Sequence, residues 1–183
     1  MTTFNWKFDT THSQIGFSVR HMMIAKVRGV FSDWIGEFTF DPNAPESSWV
    51  RAQIQTSSID TRSEQRDAHL RSADFFDSER FEEMIFESTS WRETDRGLEV
   101  AGDLTIRDVT RPIVLDVTSN GSGTDPWGNA RAGFSASAVV SRGDFGLTWN
   151  QALETGGVLV GDDIRIELEV QAIRGEQVVS SAA

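Results

Sequence analysis

The sequence predicts an all-β protein, a single antiparallel barrel of eight strands with a short helical segment at its rim. Apolar and polar residues alternate with period two in several runs, which is typical of strands with one buried and one wet face. Turn-forming residues separate these runs, as in Asp95-Arg96-Gly97 and Asn120-Gly121. A barrel is favoured because closing the sheet removes its edges, and a two-sheet sandwich is the alternative.

The predicted strands follow one another along the chain with mostly short connections. The clearest runs cover residues 14–20, 49–55, 98–107 and 164–172, and weaker ones cover 26–40, 84–91, 112–118 and 132–140. In the last clear run Ile164, Ile166 and Leu168 fall on one face, whereas Arg165 and Glu167 fall on the other. These runs supply the strands of the predicted barrel.

Several positions predicted to face inward carry small residues, and this bears on whether the barrel is hollow. They are Gly36, Ala52, Gly102, Ala136 and Ala138. A barrel of eight strands has room for side chains or for one small ligand. Two interpretations follow: the small residues leave a cavity, or the large rings of Phe17, Phe31, Trp34, Phe38 and Phe134 interdigitate with them.

A highly charged segment interrupts the alternating pattern at residues 61–86. Thr61 with Glu64 three residues later has the form of a capping box, which predicts the start of a short helix. The predicted helix contains one large apolar residue, Leu70, before the pair Phe75 and Phe76, so it cannot be a core helix. We interpret it as a lid over one edge of the barrel, anchored by Leu70, Phe75 and Phe76.

Composition and length narrow the class of protein. The chain of 183 residues suits one domain, with a barrel over 1–175 and a disordered tail over 176–183. The net charge of −11 argues against nucleic acid, and the absence of cysteine excludes disulfides and thiolate metal sites. The N-terminus lacks the features of a signal peptide, and no apolar run is long enough to span a membrane. We therefore expect a cytoplasmic protein.

Few residues suggest catalysis, metal binding or a polar contact to a ligand. The three histidines, His12, His21 and His69, do not have the spacing of a metal-binding pair, and no nucleophile motif is present, so we expect no catalytic residues, metal or cofactor. His21 continues an apolar face and is expected either to bond to backbone or to meet a polar group of a ligand. Arg66 could hold an anionic head group, although its acidic neighbours favour local ion pairs.

The sequence resembles the YceI-like family, also called polyisoprenoid-binding or lipocalin-like proteins, over nearly its whole length. The matching blocks include "HSQIGFSVRH" (12–21), "VRGVFSDWIGEFTF" (27–40), "RDAHLRSADFF" (66–76), "GDLTIRDVTRPIVL" (102–115), "DPWGNARAGF" (125–134), "RGDFGL" (142–147) and "VGDDIRIELEV" (160–170). The resemblance implies a lipocalin-like barrel with a long apolar tunnel. It also implies binding, storage or transport of a polyisoprenoid or similar long-chain amphiphile, such as a polyprenyl lipid or isoprenoid quinone, without enzymatic activity.

The expected ligand-binding residues combine the inward faces of the strands with the polar groups near the rim. They are Ile15, Phe17, Val19, His21, Phe31, Trp34, Phe38, Arg66, His69, Leu104, Phe134, Ala136, Ala138 and Phe145. Two alternatives stay open. One is an enzyme acting on a lipid or quinone with His21 or His69 as general base. The other is a solid barrel that forms a homodimer through Trp49 and Trp91 on an outer face.

Overall fold

The computed structural model describes residues 4–41 and 43–177 and forms a closed antiparallel barrel with one short helix. The strands are β1 (Phe4–Phe8), β2 (Gln14–His21), β3 (Ala25–Phe31), β4 (Trp34–Phe40), β5 (Trp49–Gln55), β6 (Ile59–Asp60), β7 (Glu83–Thr94), β8 (Gly97–Ile106), β9 (Val109–Thr124), β10 (Ala130–Ser141) and β11 (Val160–Gln177). The helix, α1, spans Glu64–Arg71. Of the tail predicted at 176–183, Glu176 and Gln177 end β11, and residues 178–183 lie outside the described residues.

Eleven strand segments make eight lines in the barrel because three lines are interrupted. β11 pairs with β2 through Glu169 opposite Gln14 and with β1 through Ala172 opposite Phe8, so β1 and β2 form one line. A 3₁₀ turn at Thr10–His12 interrupts this line. β3 and β4 likewise form one line, as do β5 and β6. The predicted eight-stranded antiparallel barrel is thus confirmed.

The two ends of the barrel have different contents. At one end, here called the aromatic end, rings of Trp6, Phe38, Phe40, Trp91 and Phe134 pack with centroids 5.8 to 6.0 Å apart. The other end, here called the helix end, carries α1, the β2–β3 turn at residues 22–24 and the loop at 146–159. Trp91 is 8% exposed within the aromatic end, so its predicted place on an outer face is wrong, while Trp49 is exposed.

Two of the inward glycines are covered by neighbouring rings. A Cβ on Gly36 would lie 2.8 Å from a ring carbon of Phe8, and one on Gly102 would lie 2.5 Å from the ring of Phe86. An aromatic ring over a strand glycine recovers the packing that the glycine itself lacks. These glycines therefore do not open space inside the barrel.

The segment that crosses the helix end is fixed to the barrel by side-chain hydrogen bonds. Thr61 donates from both its backbone N and its Oγ1 to the Asp67 carboxylate, at 2.9 and 2.6 Å. Arg71 donates to the carbonyls of Ser57 and Ile59, at 2.8 and 3.0 Å. These bonds tie α1 to the end of the β5–β6 line.

The start of the helix differs from the prediction. The N-cap is Ser63, whose Oγ accepts from the backbone N of Arg66 at 3.5 Å, so the predicted capping box between Thr61 and Glu64 is wrong. Thr61 instead bonds Asp67, a partner six residues away that the three-residue spacing of a capping box cannot indicate.

Within residues 4–41 and 43–177, no helix has the length and apolar character needed to cross a membrane.

Candidate functional site: an apolar tunnel

A cavity of about 270 Å³ runs through the middle of the barrel, close to the lower limit of typical ligand sites. On β10 its wall extends from Phe134 to Val140, which at about 3.3 Å per residue is ~20 Å. This elongated cavity, here called the tunnel, favours the hollow barrel over the filled one.

The wall of the tunnel is built by the period-two pattern of the strands. Side chains of a strand point alternately to opposite faces, so alternate residues of each strand reach the interior. On β11 these are Ile164, Ile166, Leu168 and Val170, with Arg165 and Glu167 exposed on the outer face. The apolar faces of the strands together therefore form a continuous hydrocarbon wall around the tunnel.

Arg142 is the one charged residue along the tunnel within the described chain. Its side chain is buried, and its guanidinium donates to the carbonyls of Leu147 and Gly161 at 2.7 and 2.9 Å, and to that of Trp149 at 2.8 Å. Asp162 adds an ion pair at 3.3 Å. The guanidinium is thereby occupied by the chain itself, and it fixes the loop that begins after β10.

The helix end of the tunnel is closed by apolar side chains from outside the strands. Leu70, Phe75 and Phe76 line the tunnel, as the sequence indicated for the anchors of the lid. Phe75 packs against Trp149 with ring centroids 5.5 Å apart, in the loop that Arg142 holds. This closure depends on two loops that meet, whereas the aromatic end is closed by residues of the barrel strands.

Most of the residues expected to bind a ligand are on the tunnel wall. Those placed there are Ile15, Phe17, Val19, Phe31, Trp34, Phe38, Leu104, Phe134, Ala136 and Phe145. Their contact with a ligand stays a prediction. Ala138 is buried in the core without reaching the tunnel.

The three polar candidates lie outside the tunnel wall. His21 ends β2, opposite Ala25 and Val160. Arg66 donates to the Oγ1 and the carbonyl of Thr61, at 2.7 and 2.9 Å. His69 has its Nε2 2.8 Å from an Asp74 oxygen. Their roles toward a ligand head group remain predictions.

Part of the tunnel wall was not predicted from the sequence. The residues of β11 that line the tunnel have the clearest alternation in the chain, and this signal could have placed them there. Leu147 and Val160 also line it, from loop and strand-end positions that have no periodicity. Nothing in the sequence indicated that Arg142 is buried beside the tunnel, because an isolated arginine ordinarily indicates a solvated position.

A second set of charges lies away from the tunnel. Arg131 donates to Asp9 at 2.6 Å and to Asp125 at 2.8 Å, joining the break between β1 and β2 to the turn before β10. Hydrogen bonds from Thr11, and next from Arg131, hold the pKa of Asp9 well below its usual range. The pKa of Asp125 is lowered in the same way, chiefly by Arg131.

No group of three or more His, Cys, Asp or Glu side chains in the described part of the chain is placed to hold a metal ion.

The fold and the tunnel define a lipocalin-like barrel, and comparisons with known proteins place it more closely. The chain belongs to the YceI-like domain family, whose pattern matches residues 6–172. It is 40% identical over 172 residues to a UPF0312 protein of Staphylococcus epidermidis, covering 93% of this chain and 97% of that one.

Solved structures share the fold. BcnA of Burkholderia cenocepacia superposes with a TM-score of 0.78 at 19% identity, over 90% of this chain and 98% of its own. A structure described as a polyisoprenoid binding domain from Saccharophagus degradans superposes with a TM-score of 0.66 at 12% identity, over 94% and 99%. At these identities the likeness concerns the fold.

Proposed function

We propose that this protein binds a long apolar chain in the tunnel, as the tail of a polyisoprenoid or similar amphiphile, and stores or carries it. The observation that supports this most is the character of the wall: apolar side chains from almost every strand, with the single guanidinium already bonded by the chain. The name of the Saccharophagus degradans neighbour points to the same class of ligand.

The free energy of transfer from water to such a wall favours hydrocarbon ligands over polar ones. Each Å² of apolar ligand surface removed from water contributes roughly 25 cal/mol, so a chain that fills the tunnel is bound without any specific contact. A polar group placed among the same side chains would lose its water without a partner, at a cost of roughly 2–7 kcal/mol. The tunnel therefore favours a chain without polar substituents along its length.

The polar head of the ligand belongs at the helix end in this proposal. The aromatic end is filled by packed rings, whereas the helix end has polar side chains near its closure, including His69 beside Trp149 with ring centroids 4.5 Å apart. Arg66 and Arg71 already donate to the chain's own carbonyls, so a neutral head suits this end better than a diphosphate.

Native mass spectrometry of the purified protein, paired with organic extraction and mass analysis of the extract, tests the proposal. We expect one long-chain isoprenoid or quinone per chain, or uptake of one added polyprenol. A protein that stays empty after incubation with polyprenols, alkyl quinones and fatty acids would overturn it.

A further inference from the structure

The β2–β3 turn at the helix end exposes three apolar side chains in a row. Met22 is 40% exposed, Met23 61% and Ile24 78%. Val158, 37% exposed, is on the adjoining loop, which is joined to the turn by a hydrogen bond of 2.8 Å from the backbone N of Met22 to the carbonyl of Leu159. These residues form one apolar tip on the outside of the barrel.

The backbone of this tip is costly for the residues that occupy it. Met22 and Met23 have φ of 51° and 62°, in the left-handed region, and they are the two central residues of the β-turn closed by the 3.2 Å hydrogen bond from the backbone N of Ile24 to the carbonyl of His21. Asn and Gly are the usual residues there, because methionine has a Cβ that opposes this conformation. Exposed methionines at these positions therefore reduce the stability of the hairpin.

The charged residues of the β2–β3 hairpin itself have one sign. Residues 10–32 contain no Asp or Glu, although the whole chain has 28 of them. Arg20 lies directly opposite Lys26 in the hairpin, and like charges at such positions repel. Both are exposed, and neither forms a salt bridge within the described part of the chain.

Some acidic groups are near this region. Glu154, Asp162 and Asp163 are exposed on the adjoining loop and at the start of β11, and Asp162 is paired with Arg142. Asp162 and Asp163 lie at the level of Arg20, because Val160 is opposite His21 and Ile164 is opposite Val19, whereas Met22, Met23 and Ile24 continue beyond the end of β2. Arg20 and Lys26 follow within about 7 Å at 3.3 Å per residue, which is inside a Debye length of about 10 Å at 0.1 M salt.

We propose that this tip docks the helix end of the barrel onto an anionic lipid bilayer. The apolar side chains would enter the interface between head groups and acyl chains, and Arg20 and Lys26 would meet the negative lipid head groups. A surface of this chemistry offsets both costs of the hairpin, since it buries the methionines and neutralises the repelling pair. The inference concerns membrane docking alone and does not depend on what the tunnel holds.

Vesicle flotation tests this docking with the full chain. The wild type is expected to float with vesicles of phosphatidylcholine mixed with phosphatidylglycerol, to bind phosphatidylcholine vesicles several-fold less, and to dissociate as salt is raised. The double variant Met22→Asn with Met23→Gly supplies the residues that the turn prefers. It is expected to fold at least as stably as the wild type, yet to lose most of its vesicle binding.

A matched variant at the other end of the barrel provides the control. Trp127 is 81% exposed in the turn before β10, and Trp127→Ser is expected to leave flotation unchanged. The proposal is overturned if the wild type does not float with anionic vesicles, or if it binds neutral and anionic vesicles equally. It is also overturned if Trp127→Ser abolishes vesicle binding while the turn variant retains it. Self-association through the tip, seen by analytical ultracentrifugation without vesicles and lost in the turn variant, would assign it to a second copy and overturn membrane docking.

Discussion

The two ends of the barrel are closed by different kinds of structure. At the aromatic end the closing rings belong to the barrel strands, so each is held by a ladder of backbone hydrogen bonds. At the helix end the closing side chains Leu70, Phe75 and Phe76 come from a connection between β6 and β7, held by side-chain bonds such as Thr61 to Asp67. We therefore expect the helix end, rather than the aromatic end, to be the part of the tunnel that opens without breaking the barrel.

Paired truncations of one ring at each end give the largest expected effect. Phe38 is 3% exposed and packs against Trp6 and Phe8, so Phe38→Ala should lower the free energy of unfolding by about 3–5 kcal/mol. Phe76 is half-buried with one aromatic partner, so Phe76→Ala should cost roughly 1–2 kcal/mol. Urea denaturation measures both, and equal losses would contradict the distinction between the ends.

Arg142 tests whether the closure of the helix end depends on one buried group. Arg142→Met leaves the carbonyls of Leu147 and Trp149 without their donor and should lower the free energy of unfolding by about 3 kcal/mol. Arg165→Met, on the exposed face of β11, is the control and should change it by less than about 0.5 kcal/mol. If Arg142→Met left the free energy of unfolding unchanged, other contacts would hold the loop at 146–159.

The packing of rings over glycines in the barrel wall can be examined by adding a single methyl group. In Gly102→Ala the new Cβ would lie 2.5 Å from the ring of Phe86, which should destabilise the protein by about 1–3 kcal/mol. At Gly133 the nearest contact would be 3.5 Å, an ordinary distance, so Gly133→Ala is the matched control. If thermal unfolding finds the two variants alike, Phe86 does not occupy the space over Gly102.

The Arg131 cluster predicts a small effect that depends on pH. Because the pKa of Asp125 is lowered in the folded state, its contribution to stability is present above the unfolded pKa of about 3.9 and is lost as the pH falls below it. Arg131→Met should therefore be less stable than the wild type at neutral pH, with a difference that shrinks below about pH 4. Urea denaturation at a series of pH values from about 3 to about 7 measures this difference, and a difference that grows toward low pH would contradict the prediction.

Much of the barrel could be predicted from the sequence because its walls obey one local rule. The alternation in β2, β8 and β11 determines which side chains face inward, and the wall residues Ile15, Phe17 and Val19 follow from it directly. The interruption of the first line at Thr10–His12 was not predicted, since it depends on which partner β11 pairs with along its length. Local alternation thus specifies a face but does not specify where a strand bends.

The parts that could not be predicted depend on contacts between distant residues. From the sequence alone, Arg142 would be predicted to be exposed. In the folded protein the carbonyls of Leu147 and Gly161 lie around its guanidinium. A small inward residue such as Gly102 predicts open space in the barrel, whereas in the structure the ring of Phe86 fills that space. His69 and Arg66 were candidate ligand contacts with a structural role as the alternative, and the structure places both beside polar groups of their own segment.

Uptake of a polyprenol by two tryptophan variants tests most directly whether the tunnel holds the ligand. Ala136 faces the tunnel, and Val139 on the same strand is 57% exposed on the outer face. Native mass spectrometry after incubation with a polyprenol should find Ala136→Trp folded and empty, and Val139→Trp loaded like the wild type. Equal loading of the two variants would contradict binding inside the tunnel.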